Sequence, residues 1–82
     1  MITELTFYTT GGCHLCEDAM LLLQQLLAEY PRQYQIEIID ISQSDELIEK
    51  YGIQIPVLLR SDLAKDLGWP FDYQMLRDYV VS

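Results

Sequence analysis

The sequence predicts a single α/β domain with the element order β-α-β-α-β-β-α, in which helices flank a four-stranded mixed sheet. Three observations support this prediction. The length of 82 residues allows only one core. Apolar patterns typical of strands alternate with patterns typical of helices, and glycine or proline separates most of them. Half of the residues are hydrophobic and 22% are charged, as in folded domains. We therefore expect residues 1–82 to form one domain.

The first half of the chain predicts a strand, a helix and a second strand. Glu4–Thr9 alternates and is largely β-branched or aromatic, as in a strand. After a turn at residues 10–12, a helix is predicted over about Cys13–Tyr30, and Pro31 ends it. Tyr34–Ile41 is rich in isoleucine, which favours a strand in the interior of a sheet. The apolar stripe of the helix comprises Cys16, Ala19, Met20, Leu23, Leu26, Leu27 and Tyr30.

A shorter helix and a third strand are predicted next. Ser42 or Ser44 can cap this helix, and Gly52 is well placed as the residue after its end. Pro56–Leu59 predicts a strand with proline at its start, one of the few places where a strand accepts a residue without an N–H. Because a crossover helix joins the first two strands, those two are predicted to be parallel.

A hairpin and a last helix complete the predicted fold. A tight turn at residues 60–62 leads to a short fourth strand around Leu63–Leu67, so the third and fourth strands should be antiparallel. Gly68-Trp69-Pro70 then breaks the chain. Asp72 can cap an amphipathic helix over Tyr73–Val81.

The charge balance restricts the partners that the surface can bind. Thirteen acidic and five basic residues give a formal charge of −8 at pH 7. Such a surface repels phosphate backbones and anionic lipids, so we expect neither nucleic acid nor a membrane as partner. The acidic residues are scattered along the chain, which is typical of solvated faces.

The sequence also predicts where the protein works. The amino terminus lacks the pattern of a signal peptide, and the longest apolar stretch, Ala19–Ala28, is shorter than the roughly 20 residues that cross a bilayer. Two cysteines three positions apart suit an intracellular thiol pair better than a disulfide-rich secreted scaffold. We therefore expect a cytoplasmic monomer.

Cys13 and Cys16 carry the strongest chemical signal. Cys13 lies at or beside the start of the first helix, where unpaired N–H groups and the helix dipole favour a thiolate. This position is expected to lower the pKa of the Cys13 thiol from about 8.5 towards 7 or below. Cys16 lies one turn further along and faces the buried stripe, near enough for a disulfide. We predict that Cys13 attacks a substrate disulfide and that Cys16 resolves the resulting mixed disulfide.

The residues beside Cys13 are candidates for contact with the substrate. Paired glycines permit positive φ and a close approach of the backbone to a ligand, so Gly12 is assigned to substrate binding. His14 is assigned there too, since it adds a positive charge when protonated. Glu17 and Asp18 in the same turn oppose a thiolate, so the sign of the net effect on Cys13 stays open.

Three other interpretations of the cysteine pair remain open. A structural disulfide that closes so short a loop contributes only about 2 kcal/mol in the chain-entropy account. A metal or iron–sulfur site through Cys13 and Cys16 needs more ligands than the three that this motif offers with His14, so it requires a second copy. The two thiols can also be inert core residues. Haem attachment is excluded, because it needs the histidine after the second cysteine.

The element order, the Cys13-His14-Leu15-Cys16 motif at a helix start and the Ile55-Pro56 step before a strand resemble the thioredoxin superfamily over essentially the whole chain. In length the chain resembles a glutaredoxin, and Leu67–Asp72 resembles the tail of a subgroup of small bacterial glutaredoxin-like proteins. The resemblance implies a thioredoxin-like fold. It also implies a dithiol oxidoreductase that acts on a disulfide-containing protein or a small thiol.

The resemblance assigns roles to Ile55 and Pro56. Pro56 matches the family's cis-proline, which packs beside the active-site cysteines, and the backbone of Ile55 would pair with an incoming cysteine-containing segment. The residues alone leave open a trans proline that begins a strand, since an X-Pro bond in a folded protein is cis only about 5 to 6% of the time.

The chain departs from the glutaredoxin pattern in the residues that hold glutathione. His14-Leu15 replaces the usual Pro-Tyr, Thr10-Gly11-Gly12 replaces a segment with lysine, and Leu67–Pro70 replaces a Gly-Gly-x-Asp motif. We expect no resident cofactor. Whether glutathione serves as a co-substrate stays open. A binding module that keeps the fold but has little turnover is the alternative function. Trp69 and Phe71 are expected mainly in the core, with a rim for a protein substrate as the other option.

Overall fold

The structure is a computed structural model that describes residues 2–30 and 33–81. Its elements follow the predicted order. They are the strands β1 (Thr3–Thr9), β2 (Tyr34–Asp40), β3 (Val57–Arg60) and β4 (Leu67–Gly68), and the helices α1 (His14–Glu29), α2 (Asp45–Tyr51) and α3 (Tyr73–Val81). The predicted stop of the first helix at Pro31 lies outside the described residues.

One four-stranded sheet organises the fold, with the strand order β2-β1-β3-β4. The strands β1 and β2 are parallel, as predicted, and β3 is antiparallel to both β1 and β4. Residues of α1 and α3 pack on one face of the sheet around Leu5 and Phe7. On the other face, Tyr51 of α2 packs with Ile41 and Val57. This arrangement of a mixed sheet with flanking helices confirms the predicted fold class.

Side-chain caps fix where the three helices begin. The Cys13 sulfur accepts the N–H of Cys16 at the start of α1. Ser44, rather than Ser42, caps α2 by accepting the N–H of Leu47 at 3.3 Å, because Ser42 lies within a short 3-10 turn over Ile41–Gln43. Asp72 caps α3, as predicted, by accepting the N–H of Met75 at 2.8 Å. Each cap satisfies an N–H that has no partner within its helix.

The prediction that β2 lies in the interior of the sheet is wrong. It forms one edge, so only β1 pairs with it. In the parallel register, Ile36 and Ile38 lie opposite Leu5 and Phe7 and share their face of the sheet. Ile36 is half-buried against the core, but Ile38 is 57% exposed. The isoleucine content of this strand is therefore not fully explained by burial.

The predicted fourth strand was placed too early in the chain. Only Leu67 and Gly68 pair with β3, and Leu63 is 37% exposed. Hydrogen bonds of another kind hold the intervening loop, since Asp62 accepts from the Arg60 side chain and the Lys65 carbonyl accepts from the hydroxyl of Tyr79. These hydrogen bonds hold the loop in place without strand pairing. The connection between β3 and β4 is therefore longer than the predicted tight turn.

Arg60 joins the end of β3 to the end of α3. Its guanidinium donates to the carbonyls of Tyr79 and Val80 at 3.3 and 3.1 Å, where the last turn of a helix lacks internal donors. It also donates twice to the carboxylate of Asp62, at 2.7 and 2.9 Å. These bonds lower the pKa of Asp62, so the pair stabilises the fold above about pH 4 and loses that effect on further acidification.

We expect Arg60→Met to destabilise the protein by about 1.5 kcal/mol, because methionine retains the apolar stem but removes the charged donors. The measurement is the shift of the urea midpoint at neutral pH. Arg77→Met is the matched control on the exposed face of α3, where the side chain makes one long hydrogen bond of 3.4 Å to Tyr30. Equal shifts for the two variants would contradict the proposed capping role.

The segment before α3 belongs to the core. Phe71 is 5% exposed, and Trp69 is half-buried against the same cluster. Their rings meet edge to face with centroids 5.1 Å apart. This packing favours the core interpretation of both residues over a rim for substrate.

Across the part of the chain that the structure describes, no helix has the length and apolar character needed to cross a membrane.

Candidate functional site

The site begins where β1 ends and α1 starts. A turn at Gly11 and Gly12 reverses the chain, and Gly12 has a φ of +77°. This left-handed conformation strains other residues, so the sequence needs glycine there to bring Cys13 to the helix terminus. The connection thus places the cysteine motif at the carboxyl end of a central strand, as expected for an open α/β sheet.

Cys13 is the N-cap of α1, with extended backbone at φ −92° and ψ 107°. Its sulfur accepts the backbone N–H of Cys16 at 3.1 Å. The two cysteines form a disulfide, and their Cα atoms are 5.2 Å apart. The helix start therefore directs both an N–H donor and the positive end of its dipole at the Cys13 sulfur, which favours a thiolate when the disulfide is reduced.

The two sulfur-bearing residues differ in exposure. Cys16 is 4% exposed and belongs to the core with Ala19 and Leu23 of the same stripe. Cys13 is half-buried and packs against that core from the outside. A molecule approaching from solvent therefore reaches Cys13 first.

His14 points away from the core. Its side chain is 94% exposed, and its Nδ1 lies 3.7 Å from Oε2 of Glu17. When protonated, His14 faces a carboxylate on its own helix, which offsets part of the positive charge that it offers to a thiolate. Its predicted role as a substrate contact stays a prediction.

Ile55 and Pro56 lie directly before β3, and the peptide bond between them is cis. Pro56 is buried, and Ile55 packs against the core clusters on both faces of the sheet. The N–H of Ile55 donates to the carbonyl of Tyr51 at 3.0 Å. That N–H is therefore already used within the fold, and an incoming segment would have to pair with the Ile55 carbonyl.

A cleft of about 490 Å³ opens beside the disulfide, between α1 and the edge strand β2. Both cysteines line it, and Phe7 of β1 lies among its walls. Its other main lining residues are Glu17, Met20, Leu21 and Gln24 of α1 and Ile38 of β2. The cleft therefore places an apolar surface next to both sulfur atoms, and sequence reasoning did not predict it.

Comparison with protein families identifies the chain. Residues 4–81 match the family described as Glutaredoxin-like domain (DUF836). This chain belongs to that glutaredoxin-like family. It is accordingly a glutaredoxin-like member of the thioredoxin superfamily, as the resemblance implied.

Two solved bacterial proteins resemble this glutaredoxin-like chain over most of their length. One is the structural genomics target XcR50 from X. campestris, which is 34% identical to this chain in sequence. The match to its X-ray structure has a TM-score of 0.78 and covers 94% of this chain and 95% of that one. The other is Ne2328 from Nitrosomonas europaea, solved by NMR, with 28% identity, a TM-score of 0.77 and coverage of 96% and 92%.

A more distant structure shows the fold alone. Desulfothioredoxin from Desulfovibrio vulgaris Hildenborough, solved in its reduced form, is 20% identical with a TM-score of 0.73, and the match covers 100% of this chain and 83% of that one. None of the curated proteins compared with the chain is significantly similar to it. The comparisons thus establish the family and the fold of this chain.

Asp40 and Tyr8, near this glutaredoxin-like site, have shifted pKa values with ordinary structural causes. The hydroxyl and N–H of Ser42 donate to Asp40 and lower its pKa, with a smaller effect from Thr10. Burial raises the pKa of Tyr8, and the charge interaction with the neighbouring Tyr51 phenol raises it further. The rings of Tyr8 and Tyr51 stack with centroids 4.4 Å apart. Asp40 therefore stays ionised and Tyr8 stays neutral at neutral pH, as usual for these residues.

A metal site finds no support within one copy of the chain. Over residues 2–30 and 33–81, no three side chains from histidine, cysteine, aspartate and glutamate come together as metal ligands. The predicted alternative of a metal or cluster through Cys13 and Cys16 therefore still requires a second copy to supply ligands.

The sequence pattern alone does not identify Leu21 and Ile38 as cleft residues. Leu21 is one position from the predicted stripe of α1, which includes Met20 but not Leu21, and it is 65% exposed. Ile38 belongs to an isoleucine-rich strand and was attributed to the sheet interior. The structure shows that Ile38 faces solvent on the edge strand β2 and that Leu21 borders the same cleft from α1.

Proposed function

We propose that this glutaredoxin-like chain carries out thiol-disulfide exchange through Cys13 and Cys16. One observation supports this most strongly. The Cys13 sulfur caps α1, accepts the N–H of Cys16 and is bonded to the buried Cys16 sulfur behind it. A half-buried sulfur at a helix start, with a second sulfur within bonding distance, is the arrangement that reversible exchange requires.

The first step is the attack of the Cys13 thiolate on one sulfur of a substrate disulfide. A bond forms between Cys13 Sγ and that sulfur, and the substrate bond breaks, so the second substrate sulfur leaves as a thiolate and takes a proton from water. The helix N-terminus favours Cys13 as the thiolate before this step. Its position on the outer side of the pair makes it the sulfur that the substrate meets.

The second step releases the substrate. Cys16 loses its proton to solvent and attacks Cys13 Sγ, which forms the Cys13–Cys16 disulfide and expels the remaining substrate thiolate. The substrate is reduced by two electrons, and the protein is oxidised by two. A thiol reductant, either a dithiol protein or two molecules of a small thiol such as glutathione, must then reduce the disulfide to complete a cycle.

The decisive experiment is capture of the mixed disulfide. In Cys16→Ser the first step remains possible but the second is blocked, so the variant should accumulate a covalent adduct with a disulfide substrate, bonded through Cys13. The adduct is detected by intact mass before and after treatment with dithiothreitol, and its site is mapped by peptide mass. Cys13→Ser is the matched control and should accumulate little adduct, because Cys16 is buried.

Two results would overturn the proposal. Equal capture by both variants would mean that the cysteines have no order of action, and capture by neither would mean that the pair does not exchange. Turnover of a small disulfide with glutathione or a dithiol reductant then separates exchange from a binding module that only keeps the fold.

A further inference from the structure

The apolar cleft beside the disulfide has features that the fold itself does not require. Ile38 lies on the core face of the sheet, opposite Phe7, yet it is 57% exposed because α1 does not cover this edge. Leu21 borders the same cleft from the helix side and is 65% exposed. Two large aliphatic side chains thus face a cleft whose walls also include the cysteine pair.

Charge around the cleft restricts what can enter it. Glu17 lines the cleft, and the described lining residues include no lysine, arginine or histidine. His14 lies outside the lining, with its Nδ1 3.7 Å from the Glu17 carboxylate, and offsets part of that charge only when it is protonated. Asp40 lies two residues after Ile38 on β2 and accepts the N–H of Ser42 at 2.9 Å. It also interacts with Thr10, which lines the cleft. The chain as a whole carries −8. An anionic thiol such as glutathione therefore meets like charge here, whereas a cationic group meets opposite charge.

We propose that this cleft binds the substrate protein. It receives an apolar side chain from a basic segment of the substrate, close in sequence to the substrate's reactive cysteine. The proposal rests on the exchange function and names its substrate class. The apolar side chain would lie between Ile38 and Leu21, and the basic residue would lie towards Glu17 and Asp40. The cleft is continuous with the sulfur pair, so binding there brings the substrate disulfide to Cys13.

This location differs from the loop that carries Ile55 and Pro56. That loop is near a different exposed aliphatic residue, Ile53, which is 99% exposed. The N–H of Ile55 is already bonded to Tyr51, which leaves that loop with fewer groups to offer a substrate. Variants of Ile38 and Ile53 therefore distinguish the two possible docking surfaces.

The test uses single-turnover kinetics of the reduced 82-residue chain. The probes are symmetric disulfides of blocked pentapeptides with the sequences Leu-Lys-Cys-Lys-Leu, Gly-Lys-Cys-Lys-Gly and Leu-Glu-Cys-Glu-Leu, together with hydroxyethyl disulfide. The second-order rate constant for each probe is measured by stopped flow from the change in protein fluorescence. Charged neighbours change the pKa of the leaving thiol, so the rate constant of each probe with free dithiothreitol is measured as well. Ratios corrected for this intrinsic reactivity report recognition rather than chemistry.

We expect the leucine-lysine peptide to react about tenfold faster than the glycine-lysine peptide, a preference typical of apolar side chains in a partly open pocket. Ile38→Ser and, separately, Leu21→Ser should remove most of that preference. Ile48→Ser is the matched control, because Ile48 is 44% exposed on α2 and does not line the cleft. The leucine-glutamate peptide should react more slowly than its lysine counterpart, with a difference that shrinks as salt is added.

Several outcomes would overturn the inference while leaving exchange intact. The preference for the leucine-lysine peptide could survive in Ile38→Ser and Leu21→Ser, or Ile53→Ser could remove it instead. The protein could also form a dimer in sedimentation that Ile38→Ser dissociates, which would make the cleft a contact between copies. If the wild-type protein reacts with none of the four probes, the proposed function itself fails. Thermal melting of each variant confirms that it is folded.

Discussion

Cys13→Ser is expected to reduce the turnover of disulfide substrates by at least about a thousandfold, as is usual when the nucleophile of a covalent mechanism is removed. A serine hydroxyl cannot form the mixed disulfide. The remaining thiol, Cys16, is 4% exposed and lies within the core, so it cannot take over the attack. The measurement is the steady-state reduction of hydroxyethyl disulfide or a peptide disulfide with an excess of dithiol reductant.

The two cysteine variants should differ in the first turnover. Cys16→Ser retains the sulfur at the N-cap of α1 and should release one equivalent of substrate thiol rapidly, followed by slow turnover. Cys13→Ser should show no such burst. A burst in Cys13→Ser, or activity above about a tenth of the wild type, would contradict the assigned order of attack.

The sequence predicted the placement of Cys13 and Cys16 at the helix start because its determinants are local. A glycine turn, an N-cap position and the i, i+3 spacing of Cys13 and Cys16 all lie within a few residues, so helical geometry alone relates them. The cis bond before Pro56 has no local determinant in the sequence, and only the family resemblance implied it. The cleft was not predicted, because its lining brings together residues far apart in the chain, such as Leu21 and Ile38.

The errors in the fold have a related physical origin. An isoleucine-rich strand at a sheet edge has the same local pattern as one in the interior, and only the order of all four strands shows that β2 pairs on one side. The fourth strand was misplaced because its position depends on what holds the preceding loop. Arg60 and Tyr79 anchor that loop through Asp62 and Lys65, and side-chain hydrogen bonds of this kind leave no periodic pattern in the sequence.

The exposed aliphatic residues of the cleft and the buried ones of the core also differ in what they contribute to stability. We expect Leu23→Ala on α1 to lower the free energy of unfolding by about 3 kcal/mol, within the range of about 2 to 5 kcal/mol measured for buried leucine. Leu23 is 1% exposed and packs in the cluster that joins α1, β1 and α3. For a domain of this size, with a total stability of about 4 to 12 kcal/mol, the loss is large. Urea unfolding, monitored by circular dichroism with both proteins in the same redox state, measures it.

Leu21→Ala supplies the control within the same helix. It makes the same chemical change two residues away, with the same effect on helix propensity, but Leu21 is 65% exposed. Its unfolding free energy should change by less than about 0.5 kcal/mol. A loss comparable to that of Leu23→Ala would mean that Leu21 packs within the fold. A negligible loss, together with slower reaction of the leucine peptide in Leu21→Ser, would assign Leu21 to binding rather than to stability.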